Sequence, residues 1–149
     1  MESSSLTRVL VVASRTAATP ALIESVHERA ARGPCVFTLL VPRAPHGLDR
    51  LVTPESADEG EAHAVLELAL PLLEEGAGGR VEGIVGDPDP LAAIQDAVNL
   101  HGFDELIIST LSHRVSQWLH LDLPHKAAGL GLPVTTVIAR SRAERAPGG

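Results

Sequence analysis

The sequence predicts an α/β domain built on a single doubly wound five-stranded parallel sheet, with helices on both faces. Three observations carry that prediction. Five short runs of Val, Leu and Ile alternate with four segments of helical character. Most joins between them are short and hold Gly, Pro or Asp, as turns between strands and helices do. Apolar residues make up 44% of the chain, yet it holds two Phe, one Trp and no Tyr. An aliphatic interior of that kind is what a parallel sheet covered on both faces requires. A length of 149 residues suits one domain over 1–149, with a core from 8 to 139.

The elements follow in order. Val9-Leu10-Val11-Val12-Ala13 is an uninterrupted apolar run, hence a strand buried on both sides. Polar Ser14-Arg15-Thr16 ends it, and Thr19-Pro20 supplies an N-cap and a first-turn proline for a helix carrying Leu22, Ile23, Val26 and Ala30. Gly33-Pro34 stops that helix. Val36 to Val41 forms the second strand, and residues 42–55 read as a long loop. Ser56-Ala57-Asp58-Glu59 has capping-box spacing and opens a helix with Ala62, Val65, Leu66, Ala69, Leu72 and Leu73 on one stripe. Pro71 predicts a kink there. Val81 to Val85 is a weaker third strand, closed by Gly86-Asp87-Pro88, and Asp89-Pro90 caps the third helix. Leu106-Ile107-Ile108 is the fourth strand, with polar Ser109 to Arg114 directly after it. Asp122 caps a short helix that stops at Gly129 to Gly131, Val134 to Ile138 is the fifth strand, and 141–149 read as a disordered polar tail.

Charge and composition exclude several functions. A formal net charge of -7 is wrong for a duplex nucleic-acid binder, which needs Lys and Arg in excess. With so few aromatics there is no stacking platform for single strands either. Cys35 is the only cysteine, so neither an internal disulfide nor a paired-cysteine metal knuckle can form, and a reducing compartment fits. No run approaches the roughly 20 apolar residues of a membrane span, and the start lacks a signal-peptide pattern. The expectation is a cytoplasmic protein.

The order of these elements, with Gly86-Asp87-Pro88 after the third strand, Asp104-Glu105-Leu106-Ile107-Ile108 as the fourth, and Leu132-Pro133-Val134-Thr135 leading into the fifth, resembles the universal stress protein family. The resemblance covers roughly residues 8 to 139. It implies a sheet ordered 3-2-1-4-5, a role in stress response, and commonly homodimers. ATP-binding members of the family follow the fourth strand with a glycine-rich phosphate loop, whose glycines let backbone amides close on phosphate. The matching positions here are Thr110, His113, Leu123 and Pro124, and Ser14 stands where those members carry an acid at the end of the first strand. The resemblance therefore implies a ligand-binding or regulatory module with a divergent or lost ATP site. The cofactor it leaves open is ATP or another adenine nucleotide. The alternatives are a nucleotide-binding stress protein with weak hydrolysis, and an interaction module without a small ligand.

In doubly wound sheets ligands bind beyond the strand ends where the winding reverses. With the implied order, Ser14, Arg15 and Thr16 meet Ser109, Thr110, His113 and Arg114 there. Arginines, hydroxyls and an imidazole could hold a small phosphate-bearing ligand through side chains. Gly86, Asp87 and Pro88 could touch its sugar or base, although all three are also ordinary residues of a strand-to-helix turn. A hydrolytic set of Ser109 or Ser112, His113, and Asp87 or Asp104 lacks the strained serine turn such enzymes use, so the expectation is a non-enzymatic module. His120 and His125 near Asp122 have ligand-type spacing without an evident fourth ligand. Trp118 reads as a hydrophobic lid or core plug, with an exposed ligand-facing position as the lesser alternative, and Cys35 as an inert core thiol. The fifth strand holds no charge, proline or glycine between Val134 and Ile138, with Leu130 and Leu132 just before it. As a sheet edge it is unprotected, which predicts a homodimer through it.

Overall fold

The computed structural model describes residues 6–43, 55–112 and 116–139, apart from the side chains of 55–59. The elements are β1 (Thr7–Val12), α1 (Pro20–Ala31), β2 (Cys35–Pro42), α2 (Glu55–Ala77), β3 (Val81–Gly86), α3 (Pro90–His101), β4 (Glu105–Leu111), α4 (Gln117–His120), α5 (Leu123–Ala128) and β5 (Val134–Ala139). The five strands form one sheet in the order β3-β2-β1-β4-β5, and every pairing is parallel. The predicted long loop lies mainly, and the polar tail wholly, outside the described residues, while the capping-box residues 56–59 lie within α2 with their side chains undescribed.

β1 is the centre. Val11 sits between Leu39 of β2 and Ile107 of β4. Because strand side chains alternate, successive residues feed opposite cores. Val9, Val11, Phe37, Leu39, Val41 and Ile107 point to one face, where α1 covers them with Leu22 and Val26 and α2 with Ala62, Leu66, Ala69 and Leu73. Leu10, Val12, Leu40, Leu106 and Ile108 point to the other, under Ala93, Ile94 and Ala97 of α3 and Leu123 and Ala127 of α5. Val137 is only half-buried, because β5 is an edge strand with one neighbour.

Several local expectations need correction. β4 does not end at Ile108 but runs through Ser109 and Thr110 to Leu111, all three paired with β5. Among the described residues the helical segments number five, because α4 precedes α5. Thr19 occupies the N-cap of α1 without a side-chain cap bond; its hydroxyl donates to the Thr16 carbonyl at 2.8 Å. Asp122 likewise precedes α5 without capping it, and its left-handed backbone (φ 62°) turns the chain from α4 into α5. Asp89 does cap α3, accepting from the Leu91 amide at 3.0 Å. α2 continues through Pro71, which lies on its exposed face, where water can satisfy the carbonyl left unbonded.

At the opposite end of the sheet from the C-terminal strand ends, Arg29 of α1 grips Glu105 at the start of β4 with two bonds of 2.8 and 2.9 Å. Asp104 accepts from the Arg8 amide at 2.8 Å, and the Arg8 guanidinium lies 5.3 Å from the Phe103 ring centre while donating to His101 O. These contacts fix β4 against β1. The Arg29 hydrogen bonds hold the Glu105 carboxyl below its usual range, against an opposing push from burial. A carboxylate lowered in this way contributes stability above its unfolded value, about 4.3, and that contribution drains as pH falls through the lower folded value. In urea denaturation across pH 7 to 3, Glu105→Gln should be less stable than the parent at pH 7 and should lose less stability on acidification. Parallel pH profiles for the two proteins would refute the assignment.

Candidate functional site

Two adjoining hollows lie at the C-terminal ends of the strands. The smaller, about 230 Å³, is lined by Ser14, Arg15 and Thr16 after β1, by Ser109, Thr110 and Leu111 of β4, and by Ser116, Gln117 and Trp118. It stands where the winding reverses between β1 and β4, the position at which doubly wound sheets hold ligands. The larger, about 520 Å³, is lined by Ser14, by Pro42 and Arg43 at the end of β2, by Pro88 to Leu91 at the start of α3, and by residues of α4 and α5 including Trp118 and Lys126. Its volume is in the range of small-molecule sites, and its walls are mainly apolar. Ser14, Gln117 and Trp118 border both.

The floor of the smaller hollow is built from paired hydroxyls. Thr16 and Ser109 are buried, and their hydroxyls meet at 2.6 Å. Thr110 and Ser116 are also buried and bonded to one another. Ser116 additionally caps α4 by accepting from the Leu119 amide at 3.1 Å. Each buried hydroxyl thereby avoids the cost of desolvation without a partner. Ser14 is half-buried and Arg15 exposed at the rim.

Of the residues singled out in the sequence, Ser14, Arg15, Thr16, Ser109 and Thr110 are thus brought together. His113 and Arg114 lie outside the described residues. Gly86, Asp87 and Pro88 do not act as a unit. Pro88 lines the larger hollow. Gly86 is packed so closely that an added Cβ would stand 2.8 Å from both Ala93 Cβ and Leu40 Cδ1, and its carbonyl accepts from the Arg43 amide. Asp87 turns the chain, its Oδ1 accepting from the Asp89 amide at 2.8 Å. For Gly86 and Asp87 these contacts are those of a strand-to-helix turn.

The hydrolytic arrangement is not assembled by the described residues. Ser109 pairs with Thr16, while Asp104 is held at the far end of β4 by the Arg8 amide. His120 and His125 sit on α4 and α5, and among the described residues no group of three or more His, Cys, Asp or Glu could hold a metal ion. Cys35 packs half-buried against the first core, and burial pushes its thiol up, partly offset by Arg29. Trp118 combines both readings of it: it rests against the second core and faces both hollows. The sequence reading missed Pro42, Arg43, Gln117, Leu121 and Lys126 as lining residues. The one available signal was Ser116 ahead of Gln117-Trp118-Leu119, a capping residue before a turn of helix formers.

A parallel sheet in this order, with its cleft at the reversal point, defines the doubly wound α/β class. Within that class the fold is that of the universal stress proteins. The chain is similar to one from Archaeoglobus fulgidus at 15% identity, covering 88% of this chain and 93% of that one with a TM-score of 0.63. It is similar to a universal stress protein in complex with cAMP at 14% identity, covering 91% and 98% with a TM-score of 0.59. A family protein from Arabidopsis thaliana with AMP bound shares 19% identity over 95% and 97% of the two chains, with a TM-score of 0.57. No family model and no curated protein sequence matches the chain. No helix among the described residues is long and apolar enough to cross a membrane.

The paired hydroxyls carry an energetic consequence. Ser109→Ala strands a buried Thr16 hydroxyl and should cost about 1–3 kcal/mol, whereas removing both hydroxyls restores the balance. Urea denaturation should show the Thr16→Val/Ser109→Ala double variant at least as stable as Ser109→Ala alone. Simple addition of the two single losses would contradict the pairing.

Proposed function

We propose that this chain is a divergent universal stress protein, a ligand-binding or regulatory module that takes a small phosphate-bearing ligand of the adenine nucleotide class. The observation that carries the reading is the joining of a hydroxyl-lined hollow, rimmed by Arg15, to a mainly apolar one through Ser14, Gln117 and Trp118. A ligand with an anionic end and a flat apolar end suits that pair. Two proteins of similar fold hold cAMP and AMP, which supports the same class.

The lining favours a monophosphate over Mg-ATP. At Ser109, Thr110 and Leu111 the backbone belongs to the ladder between β4 and β5 in place of a glycine loop. Leu123 and Pro124, two further positions of the family's phosphate pattern, begin α5, and Leu123 is buried in the second core. Such a backbone cannot wrap a triphosphate as glycines do. In calorimetry, AMP or cAMP should bind more tightly than Mg-ATP, whose Kd should be no better than about 100 μM. Arg15→Ala should weaken the monophosphate at least about tenfold, the worth of one charge-assisted hydrogen bond. A micromolar isotherm for Mg-ATP would overturn the divergent site and favour the weakly hydrolysing alternative. Silence from all three nucleotides would favour an interaction module.

The partner in this reading is a second copy, joined through β5. That strand is a sheet edge, and Thr135, Thr136 and Ile138 are exposed along it. Leu130 and Leu132 contribute less to such a contact than the sequence suggests, because both pack partly on the second core. Edge strands without charge or proline invite pairing. Light scattering at micromolar concentration should give a dimer mass for the parent and a shift towards monomer for Thr136→Lys. A parent that stays monomeric at high concentration ends this part of the proposal.

A further inference from the structure

The larger hollow has an unusual wall. Six residues at the end of β2 and after β2 and β3 form it: Pro42, Arg43, Pro88, Asp89, Pro90 and Leu91. Three are prolines and have no backbone N–H. The other three amides are engaged: Arg43 donates to the Gly86 carbonyl at 3.0 Å, Asp89 to Asp87 Oδ1 at 2.8 Å, and Leu91 to Asp89 Oδ1 at 3.0 Å. Along this wall a ligand ring meets no unengaged backbone donor with which to match its edge. It meets the rings of three prolines, beside Arg43, whose Nε donates to the Gly86 carbonyl at 3.3 Å, and Asp89, whose Oδ1 accepts from the Leu91 amide.

Among the lining residues of the larger hollow, Trp118 supplies the aromatic face. Its position is fixed from below, since α4 is capped by Ser116, Ser116 is bonded to Thr110 of β4, and the indole rests against the second core. A side chain held in this way presents its surface at little entropic cost. Base-to-aromatic stacking tolerates any base, because each one has a π face.

We propose that Trp118 holds the ligand's ring by its face, and that the cleft selects for a flat ring while discriminating little between ring edges. The assignment rests on the nucleotide reading above, and goes beyond it by naming the residue that sets specificity and the kind of specificity it sets. Arg15 and the paired hydroxyls then grip the phosphate end, and Trp118 the ring end, with the shared rim between them.

Trp118 is the only tryptophan, so its fluorescence reports the contact without interference. The probes are AMP, GMP and ribose 5-phosphate, each titrated by calorimetry and by tryptophan emission. AMP and GMP should both change the emission and bind within about threefold of each other, since face stacking is base-tolerant. Ribose 5-phosphate should bind at least about tenfold more weakly and leave the emission unchanged. Trp118→Leu keeps apolar volume under the second core but removes the ring; it should weaken AMP and GMP about tenfold and leave ribose 5-phosphate unaffected. The proposal falls, with the nucleotide reading intact, if AMP binds without changing the emission, binds Trp118→Leu as tightly as the parent, or outbinds GMP by more than about tenfold. If neither nucleotide gives heat, the nucleotide reading fails and the Trp118 assignment fails with it.

Discussion

A strand hydrogen-bonded along both edges and covered on both faces can place polar chemistry only beyond its end. β1 is in that position. Val9 to Val12 pair with β2 on one side and β4 on the other, and all four are fully buried. Burial of both faces demands helices on both, and the chain supplies them by winding one way from β1 through β2 to β3 and the other way from β4 to β5. Where the winding reverses, no helix crosses over the strand ends, and a cleft remains. Fold and cleft therefore follow from the same constraint.

The cleft in turn solves a problem that β4 creates. By continuing through Ser109 and Thr110, β4 carries two hydroxyls into buried territory, where an unpaired one would cost more than the pairing returns. Thr16 and Ser116 answer them one to one, and the second pairing also anchors the short helix that bears Trp118. The polar floor and the aromatic wall are thus two outcomes of one extended strand. Among the described residues, no glycine takes part in either arrangement.

The sequence was most legible where burial is two-sided. Runs such as Val9 to Ala13 admit few other readings, and the Asp89-Pro90 cap follows from local chemistry. Legibility fails where tertiary pairing overrides local character. Ser109 and Thr110 read as a polar segment beyond the fourth strand, because nothing nearby in the sequence shows that β5 will pair with them. Thr19 and Asp122 sit where caps belong, yet turn geometry decided how their groups were used. α4 spans four residues, too few to display a helical period. Five residues of the cleft could be foreseen from topology. Of the wall of the larger hollow only Pro88 was foreseen, because Pro42, Arg43 and the start of α3 come from separate strand ends that meet only in the folded chain.

The bond from the Arg8 amide to Asp104 spans 96 positions of sequence. The central strand of the sheet is thus completed by a partner made late in synthesis. Until β4 emerges from the ribosome, β1 with α1, β2, α2 and β3 can assemble as a three-stranded half, leaving one apolar edge of β1 open. Such a half exposes the kind of template on which other chains aggregate. High contact order of this sort slows folding, and it makes arrival of β4 the step that completes the pairing of β1. The grip of Arg29 on Glu105, at the leading end of that strand, acts as the clasp that keeps the late arrival in place.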